Sequence, residues 1–258
     1  MIEISPPCSA PALSAVPIFT GFIPMVSKGL VPGRAWLDRA AEPRAAHVLH
    51  SYGMSLLWGD GLEAAFEVVT AHLRDGHYRQ RDEWLQIDPR FDHLPWDDAL
   101  PDTERFTRVN FRFDEAVFAA RHRASAVPNG WRIVPLPQHG YALEGVTVSP
   151  HFFWNDYASF TAHGGGMLAV SENGEPGAMA FTATRGEGWL EIGIETLSAY
   201  RGQGLARAVA VAMIEKCLSQ GLEPVWACRK ENAGSFHLAQ SLGFAVTRQF
   251  PFYRLAAA

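Results

Sequence analysis

Alternating and apolar stretches in the second half of the chain predict a run of strands that ends in a helix. Strands are predicted at residues 131–136, 167–171, 178–184 and 189–196. Asn173-Gly174, between the second and the third of these, favours a tight hairpin. Residues 205–219 carry an apolar stripe at helical spacing, and Gly221 and Pro224 end it. An antiparallel meander therefore brings the chain to a turn, and the turn opens a long helix.

Further elements are predicted on both sides of this meander. They are a helix from 149 to Gly164, a strand at 225–228, a helix at 232–242, and strands at 244–249 and 252–255. Ser149 and Asn232 are suitable N-cap residues for the two helices. A right-handed crossover through the helix at 205–219 makes the strand at 225–228 parallel to the strand at 189–196.

The first half of the chain has weaker periodicity and predicts a separate, smaller lobe. Its predicted elements are strands at 34–37, 46–58 and 106–113, a helix from Asp60 to Gly76, a helix at 114–122, and a solvated loop at 77–104 with buried Trp84 and Trp96. Gly53 is interpreted as a bulge in the second strand. Residues 124–130 read as a linker. We therefore expect an N-terminal α/β lobe at 1–130, with an irregular arm at 1–30, and a second domain at 131–258.

Composition and charge narrow the class of protein. The 258 residues include 22 basic and 27 acidic ones, for a net charge of −5, and no Lys/Arg run suited to a phosphate backbone is present. We therefore expect no nucleic-acid partner. The start lacks a positive region and contains several prolines, and no stretch has the ~20 apolar residues of a membrane span. Three cysteines without C-x-x-C spacing are typical of a reducing compartment, so a cytoplasmic protein without membrane contact is expected.

Acidic and histidine residues between 77 and 104 raise the question of a metal site. They are Asp82, Asp88, Asp92, Asp97, Asp98, His77 and His93. Their spacing does not match a recognised ligand pattern for a hard or borderline metal. No metal is therefore predicted.

The stretch from Glu191 to Ala206 carries the candidate chemistry. A strand runs into a Gly-rich turn that opens a helix, and the unpaired N–H groups of a helix start bind anions. A Walker A loop is excluded because no Lys-Ser/Thr pair follows the glycines. The dinucleotide fingerprint fits Gly202 and Gly204 but places Arg207 where a small residue is needed. The pattern R-x-x-G-x-A is satisfied in full.

Two motifs make the segment from about Trp131 to Leu255 resemble the GNAT superfamily of acyl-CoA-dependent N-acetyltransferases. The first is Arg201-x-x-Gly204-x-Ala206, and the second is Asn232-x-x-Ser235-x-x-Leu238-x-x-x-Leu242-Gly243-Phe244. The stretch 191–196, Cys217 and the helix with Phe153-Trp154 look most similar to the subgroup that includes the zwittermicin A resistance acetyltransferase. Gly33-Arg-Ala-Trp-Leu-Asp38 and Leu57-Trp-Gly-Asp60 extend that likeness to the N-terminal lobe.

The resemblance implies an α+β fold and a site for acetyl-CoA. The fold would have a mixed, mostly antiparallel central sheet whose fourth and fifth strands splay apart, with flanking helices. The pyrophosphate would bind the N–H groups of about Gln203 to Ala206, and the pantetheine arm would lie between the strands that end at Thr196 and Cys228. The implied cofactor-binding residues are Thr196, Leu197, Ser198, Arg201, Gly202, Gln203, Gly204, Leu205, Ala206, Asn232 and Ser235. For Asn232, a plain helix cap is the alternative.

The resemblance also suggests catalytic roles. Glu191, Gly193 and Glu195 share one strand face, and Glu191 is the preferred general base, with Glu195 second and a solvated strand face as the alternative. A backbone N–H near Leu197 would stabilise the oxyanion. The superfamily's tyrosine acid is replaced by Ala239, so Ser235, one turn earlier, is the nearest substitute.

The expected activity is transfer of an acetyl group to the primary amine of a small molecule, such as an antibiotic or another natural product, by direct attack through a tetrahedral intermediate. Phe153, Trp154 and Tyr157 are candidate walls of the acceptor site, or else core residues. A catalytically silent CoA-binding protein and a protein N-acetyltransferase are the alternatives. The chain is expected to act as a monomer or homodimer.

Overall fold

The computed structural model of the chain describes residues 1–122 and 127–258. In these residues, the backbone packs into two compact units. The first comprises Met1–Asn110, Arg229–Glu231 and Arg248–Ala258, and the second Phe111–Cys228 and Asn232–Thr247. The N-terminal part of the first unit therefore ends at Asn110 and not near residue 130. The first unit also includes the C-terminal residues Arg248–Ala258. The expected domains at 1–130 and 131–258 stay a prediction, and residues 124–126 of the expected linker at 124–130 lie outside the described residues.

The described residues form thirteen strands and seven α-helices. The strands are β1 (Ile2–Ile4), β2 (Gly33–Leu37), β3 (Ala46–His50), β4 (Met54–Trp58), β5 (Glu83–Ile87), β6 (Glu104–Phe113), β7 (Trp131–Pro135), β8 (Gly166–Ser171), β9 (Pro176–Arg185), β10 (Trp189–Thr196), β11 (Glu223–Val225), β12 (Ala227–Arg229) and β13 (Phe244–Leu255). The helices are α1 (Phe22–Ser27), α2 (Phe66–Asp75), α3 (Trp96–Ala99), α4 (Glu115–His122), α5 (Tyr157–Ala162), α6 (Leu205–Ser219) and α7 (Ala233–Ser241).

The strands build two sheets, and both are mixed. One has the order β1-β2-β3-β4-β5-β13-β6-β12, and the other β11-β10-β9-β8-β7. The pairs β4–β5 and β10–β11 are parallel, whereas β2–β3, β3–β4, β5–β13, β7–β8, β8–β9 and β9–β10 are antiparallel. The predicted α+β fold with a mixed, mostly antiparallel sheet is confirmed.

The first unit differs from the sequence prediction in three places. Residues 46–58 form the β3–β4 hairpin and not one bulged strand, because Gly53 at φ 106° lets the chain reverse. Helix α2 begins at Phe66, well after Asp60, although its predicted end at Gly76 in the left-handed conformation is correct. The predicted loop at 77–104 contains β5 and α3, with Trp96 buried and Trp84 half-buried.

The N-terminal arm is also more regular than expected. Strand β1 pairs with β2, and α1 buries four of its side chains against the unit. The core lies between α2 and the sheet and includes Leu57, Leu85 and Leu255. The two C-terminal strands predicted at 244–249 and 252–255 are a single strand, β13, whose residues Phe252–Leu255 pair with β5.

The second unit contains the meander in the predicted order. The β8–β9 hairpin turns at Asn173-Gly174, where Gly174 has φ 84°, and α6 packs on β8, β9 and β10. The bounds of β10 and α6 are the predicted ones. The predicted helix from 149 is instead a 3-10 turn at Pro150–Phe152 followed by α5, which Asp156 caps through the Ser159 N–H group.

Candidate active site

A sharp turn joins β10 to α6. After a 3-10 turn at Ser198–Tyr200, Gly202 and Gly204 adopt φ values of 79° and 81°, and α6 starts with the buried side chain of Leu205. Within the described residues no side chain caps the helix start, and its first turn has no acidic residue. Residues 201–204 are exposed, and a Cβ added at Gly202 would meet no atom of the described residues within 4 Å. The N–H groups of this helix start therefore face open space, as an anion site requires.

Two arginines border this turn. The Arg201 Nε group donates to the Thr196 carbonyl at 3.3 Å, and its Nη2 lies 3.7 Å from Glu195 Oε1. Arg207 Nη1 donates to Ser241 Oγ at 2.9 Å and thus ties the first turn of α6 to the end of α7. The dinucleotide fingerprint needs a small residue at position 207, so an arginine that bonds α7 there agrees with the exclusion of that fingerprint. Arg201 is the exposed cation at the turn.

Strand β10 continues beyond its parallel neighbour. The pairing of β10 with β11 ends at Glu191 opposite Val225. After a single residue, Trp226, the chain enters β12, which belongs to the other sheet. The outward edge of β10 from about Ile192 to Thr196 is therefore not covered by β11, which is the predicted splay between two parallel strands.

The hydrogen-bond phase of β10 corrects the expected oxyanion donor. The Leu197 N–H group donates to the Gly177 carbonyl at 3.0 Å, so it points to β9. Because N–H directions alternate along a strand, the Glu195 N–H group also points to β9, whereas the Ile194 N–H group points to the outward edge. On that edge the Glu223 N–H group reaches the Gly188 carbonyl at 2.8 Å, which agrees with the same phase. The sequence predicted an oxyanion donor near Leu197 without this information, because strand register and not residue type sets the direction of each N–H group.

Glu191 is a buried carboxylate with a hydroxyl partner. Its side chain is 8% exposed, and Thr184 Oγ1 donates to Glu191 Oε2 at 2.8 Å. The register of β9 shifts between Glu191 and Ile192, which brings Thr184 opposite Glu191. A bulge thus aims the Thr184 hydroxyl at this carboxylate.

Glu195 is held mainly by backbone N–H groups. Its Oε2 accepts from Thr147 N–H at 3.1 Å and Val148 N–H at 3.2 Å, and its Oε1 accepts from Thr196 N–H at 3.0 Å. Both oxygens are therefore engaged. These bonds fasten the loop before the 3-10 turn at Pro150 to the end of β10.

Gly193, between the two glutamates, makes room for an aromatic ring. A Cβ at this position would lie 2.5 Å from the buried Phe181 ring, so only glycine fits. Phe153 contacts the same ring, with centroids 5.6 Å apart. The strand face with the two glutamates is therefore partly apolar.

The other two predicted acceptor walls are held by internal hydrogen bonds. Trp154 is 1% exposed, and its Nε1 donates to the Thr182 carbonyl at 2.8 Å. Tyr157 is half-buried, and its hydroxyl donates to the Leu136 carbonyl at 3.0 Å. The burial of Trp154 supports the core alternative for that residue.

The start of α7 lies beside the strand break. Asn232 Oδ1 caps the helix by accepting from Ser235 N–H at 3.1 Å, and the exposed Asn232 side chain keeps its amide donors. Trp226 Nε1 donates to Ser235 Oγ at 3.1 Å. Ala239, which takes the place of the expected tyrosine, is fully buried. Ser235 is thus the hydroxyl that α7 presents next to the break.

Thr184 and Trp226 were not predicted as site residues. Thr184 appeared only as the end of a strand, and Trp226 only as part of a short apolar one. Their roles depend on a bulge and on a strand break, which no pattern in the sequence marks.

Other candidate chemistry is structural in character. Cys217 and Cys228 are buried thiols, and burial raises the pKa of Cys217 to about 11. Across residues 1–122 and 127–258, no group of three His, Cys, Asp or Glu side chains is placed to hold a metal ion. In the same part of the chain, no helix has the length and apolar character needed to cross a membrane.

Comparison with known proteins places this geometry in context. A family model described as GNAT acetyltransferase matches residues 20–253. The chain is 24% identical over 243 residues to the uncharacterized N-acetyltransferase YdfB of Bacillus subtilis (strain 168), across 90% of this chain and 89% of that protein. The crystal structure of a GCN5-related N-acetyltransferase-like protein from Streptococcus suis 89/1591 is similar in fold, with a TM-score of 0.66, 21% identity and coverage of 86% and 87% of the two chains.

Proposed function

The chain belongs to the GNAT acetyltransferase family, and from this premise we propose that it acetylates the primary amine of a small molecule with acetyl-CoA. Membership of the family makes the protein an acyltransferase, and the identity of the acceptor is what we propose in addition. The observation that carries the proposal is the open, uncapped start of α6 directly after the splayed end of β10. This arrangement fits a pyrophosphate beside an extended thiol-bearing arm.

The residues at the turn fit acetyl-CoA, which is the acetyl donor that the family uses. The N–H groups of Gln203 to Ala206 would bind the pyrophosphate, since no acidic residue of the first turn repels it. Arg201 adds positive charge at the exposed rim. The outward edge of β10 would bond the arm like an added strand, and the Ile194 N–H group replaces that of Leu197 as the proposed oxyanion donor.

Glu191 is the proposed general base. The Thr184 hydroxyl donates to its Oε2 and orients the carboxylate, whereas backbone N–H groups engage both oxygens of Glu195. A proton from the attacking amine would pass to Glu191 directly or through a water molecule. We propose that Glu195 instead positions the loop at Thr147.

Ser235 is the proposed donor to the leaving thiolate. Because the indole of Trp226 donates to Ser235 Oγ, the hydrogen of the serine hydroxyl is directed elsewhere. A thiol with a pKa near ~8.5 leaves as an anion with little help, so one weak hydroxyl donor is sufficient. The Asn232 amide is proposed to bind the arm while its oxygen caps α7.

The acceptor is proposed to be a natural product with a primary amine, and membership of the zwittermicin A resistance subgroup is part of this proposal. The subgroup likeness of 191–196 and of the N-terminal motifs supports it. Phe153, which is in contact with Phe181 beside the glutamates, and the half-buried Tyr157 are the proposed acceptor walls. Trp154 is assigned to the core beneath them.

Calorimetry and a free-thiol assay test this function together. We expect acetyl-CoA to bind in isothermal titration, and a panel of natural-product amines to contain members that release CoA. Each primary amine is paired with its N,N-dimethyl counterpart, whose neutral nitrogen carries no hydrogen, so that no stable amide can form and no CoA should be released. Absence of acetyl-CoA binding contradicts the proposal. Tight binding without turnover on any amine would instead favour a silent CoA-binding protein.

A further inference from the structure

The first unit carries a guanidinium that no described residue pairs. Arg229, the last residue of β12, is half-buried, and its Cζ lies 4.5 Å from the ring centroid of Trp84 and 5.1 Å from that of Phe106. These two rings lie 5.4 Å apart. Among residues 1–122 and 127–258, none accepts a hydrogen bond from the Arg229 side chain or forms an ion pair with it. Its contacts are cation–π contacts, which use the charge and leave the N–H donors unused.

A second arginine beside the same tryptophan is fully paired. Arg254 Cζ lies 6.0 Å from the Trp84 centroid, and its guanidinium bonds Asp82 at 2.7 Å and Glu104 at 2.6 Å. The carboxylates available at this edge of the unit are therefore already used by Arg254.

The backbone around Arg229 is held in place on the β6 side. The Lys230 N–H group donates to the Thr107 carbonyl at 2.8 Å, and the Glu231 carboxylate accepts from the Thr107 N–H group at 3.0 Å. Glu231, the acidic residue next along the chain, is thus also engaged. With the backbone fixed by β6 and the side chain held by two rings, the guanidinium is ordered before any ligand arrives, which lowers the entropy lost on binding.

We propose that Arg229 anchors an oxyanion-binding site that takes the carboxylate or phosphate group of a small ligand. A guanidinium has five N–H donors in a planar fork that matches either anion in a bidentate manner. The net charge of −5 and the absence of a basic run make a small ligand the suitable occupant and not a nucleic acid. The site lies in the first unit, at the last residue of β12.

Side-chain NMR of the full-length protein tests the site directly. The Arg229 Nε–H resonance, assigned through bonds from its own backbone amide, is followed during titration with inorganic phosphate and, separately, with malonate. Sodium chloride keeps the ionic strength constant. We expect a saturable shift of Arg229 with at least one anion and no comparable shift of Arg254. A response to phosphate alone identifies a phosphate ligand, and a response to malonate alone a carboxylate ligand.

Two variants then locate the binding. In Arg229→Lys the charge stays but the fork is lost, so the affinity, read from the Trp84 indole N–H resonance, should fall at least about tenfold. The matched control Arg254→Lys, beside the same ring, should retain the affinity of the unmodified protein. Absence of a saturable Arg229 shift with both anions overturns the proposal, as does equal affinity in the two variants. The first of these readouts needs no variant, so a folding defect in Arg229→Lys does not remove the test.

Discussion

At the scale of single residues, the two glutamates of β10 have the same spacing on one strand face but different surroundings. Glu191 accepts from the Thr184 hydroxyl, whereas Glu195 accepts from three backbone N–H groups. Backbone donors on both oxygens hold the Glu195 carboxylate against the loop at Thr147 and leave it less free to reach a substrate. The surroundings therefore separate a candidate for proton transfer from a candidate for loop positioning.

Replacement of Glu191 by Gln is expected to lower kcat by about 100-fold or more. Glutamine keeps the size and can still accept from Thr184, but it cannot take the amine proton, so KM for acetyl-CoA should change much less. Steady-state kinetics with the free-thiol assay measure both constants. Glu187→Gln, at an exposed position just before β10, is the matched control and should behave like the unmodified enzyme. An unchanged kcat in Glu191→Gln would remove that residue from the base role.

Residue identities could be predicted from the sequence where a motif fixes them, and not where strand register decides. Alternating apolar residues predict β10, the glycines predict the turn, and the apolar stripe predicts α6. The position of the turn in the chain could therefore be predicted. The Leu197 N–H group was misassigned because only the pairing with Gly177 shows which way it points. Thr184 and Trp226 were missed for the same reason.

At the scale of elements, the start of α6 combines backbone conformation with ligand binding. Gly204 has φ 81°, and among the described residues a Cβ there would meet Pro128 Cγ alone, at 3.7 Å, so substitution strains the backbone without a clash with any of them. Gly221, after the end of the same helix, has φ 67° and open space around it. A side chain would strain the backbone at either glycine, but only Gly204 lies at the proposed pyrophosphate site.

Gly204→Ala is therefore expected to cost about 1 kcal/mol of stability and to raise KM for acetyl-CoA. The alanine forces the left-handed residue away from its conformation and shifts the N–H groups that follow it. Gly221→Ala should lower stability by a similar amount and leave KM unchanged. Thermal unfolding and initial rates on both variants give the comparison. Equal KM values in the two variants would contradict a pyrophosphate site at the turn.

Helix α2 contributes to a buried ionisable network in the first unit. Glu83 accepts from His47 Nε2 at 2.8 Å, Ser55 Oγ at 2.6 Å and the Tyr78 hydroxyl at 2.8 Å. His72, on α2, lies with its Nε2 3.1 Å from His47 Nδ1. Burial, together with the charge of His47, lowers the pKa of His72 from 6.5 to about 3.

The depressed pKa of His72 predicts a loss of stability on acidification. Below pH ~6.5 the unfolded chain binds a proton at this residue that the folded chain does not, so the free energy of unfolding falls as pH falls. One proton contributes less than about 1.4 kcal/mol per pH unit. The lowered pKa of Glu83 acts only below its usual value of 4.5, outside the window from pH 6.5 to 5.

Melting temperatures measured between pH 6.5 and 5 test this assignment. His72→Gln should flatten the decline, because glutamine has no proton to bind in the unfolded state. His77→Gln, at a side chain that is 85% exposed, should leave the decline unchanged. An equally steep decline in His72→Gln would show that another group controls acid stability.

Element boundaries in this unit were harder to predict because tertiary pairing decided them. Strand-forming apolar and aromatic residues recur from 46 to 58, and such a stretch predicts one strand as well as two. Pairing of Ala46 with Trp58 folds the run into a hairpin. Likewise, β5 lies in a polar, proline-rich stretch, and its strand conformation depends on pairing with β4 and β13.

At the scale of the whole molecule, the ends of the chain meet in one unit. The C-terminal residues Phe252–Leu255 pair with Glu83–Gln86, and Tyr253 and Leu255 belong to the core beneath α2. Composition and local periodicity carry no information on such long-range pairing, so the sequence predicted two lobes that meet near residue 130 in the chain, without a C-terminal strand in the first. A boundary near residue 130 separates β5 from the strand that covers it.

A fragment of residues 1–130 is therefore expected not to fold on its own. It would leave the β5 edge unpaired, expose Leu85 and Ile87, and lose the ion pairs of Arg254 with Asp82 and Glu104. Burial of two such aliphatic side chains contributes about 1.5–3 kcal/mol each, which is a large part of the stability of a domain of this size. The same fragment linked to residues 244–258 restores the missing strand and should give a cooperative thermal transition by circular dichroism. A cooperative transition in the unlinked fragment would show that the N-terminal lobe is an independent domain after all.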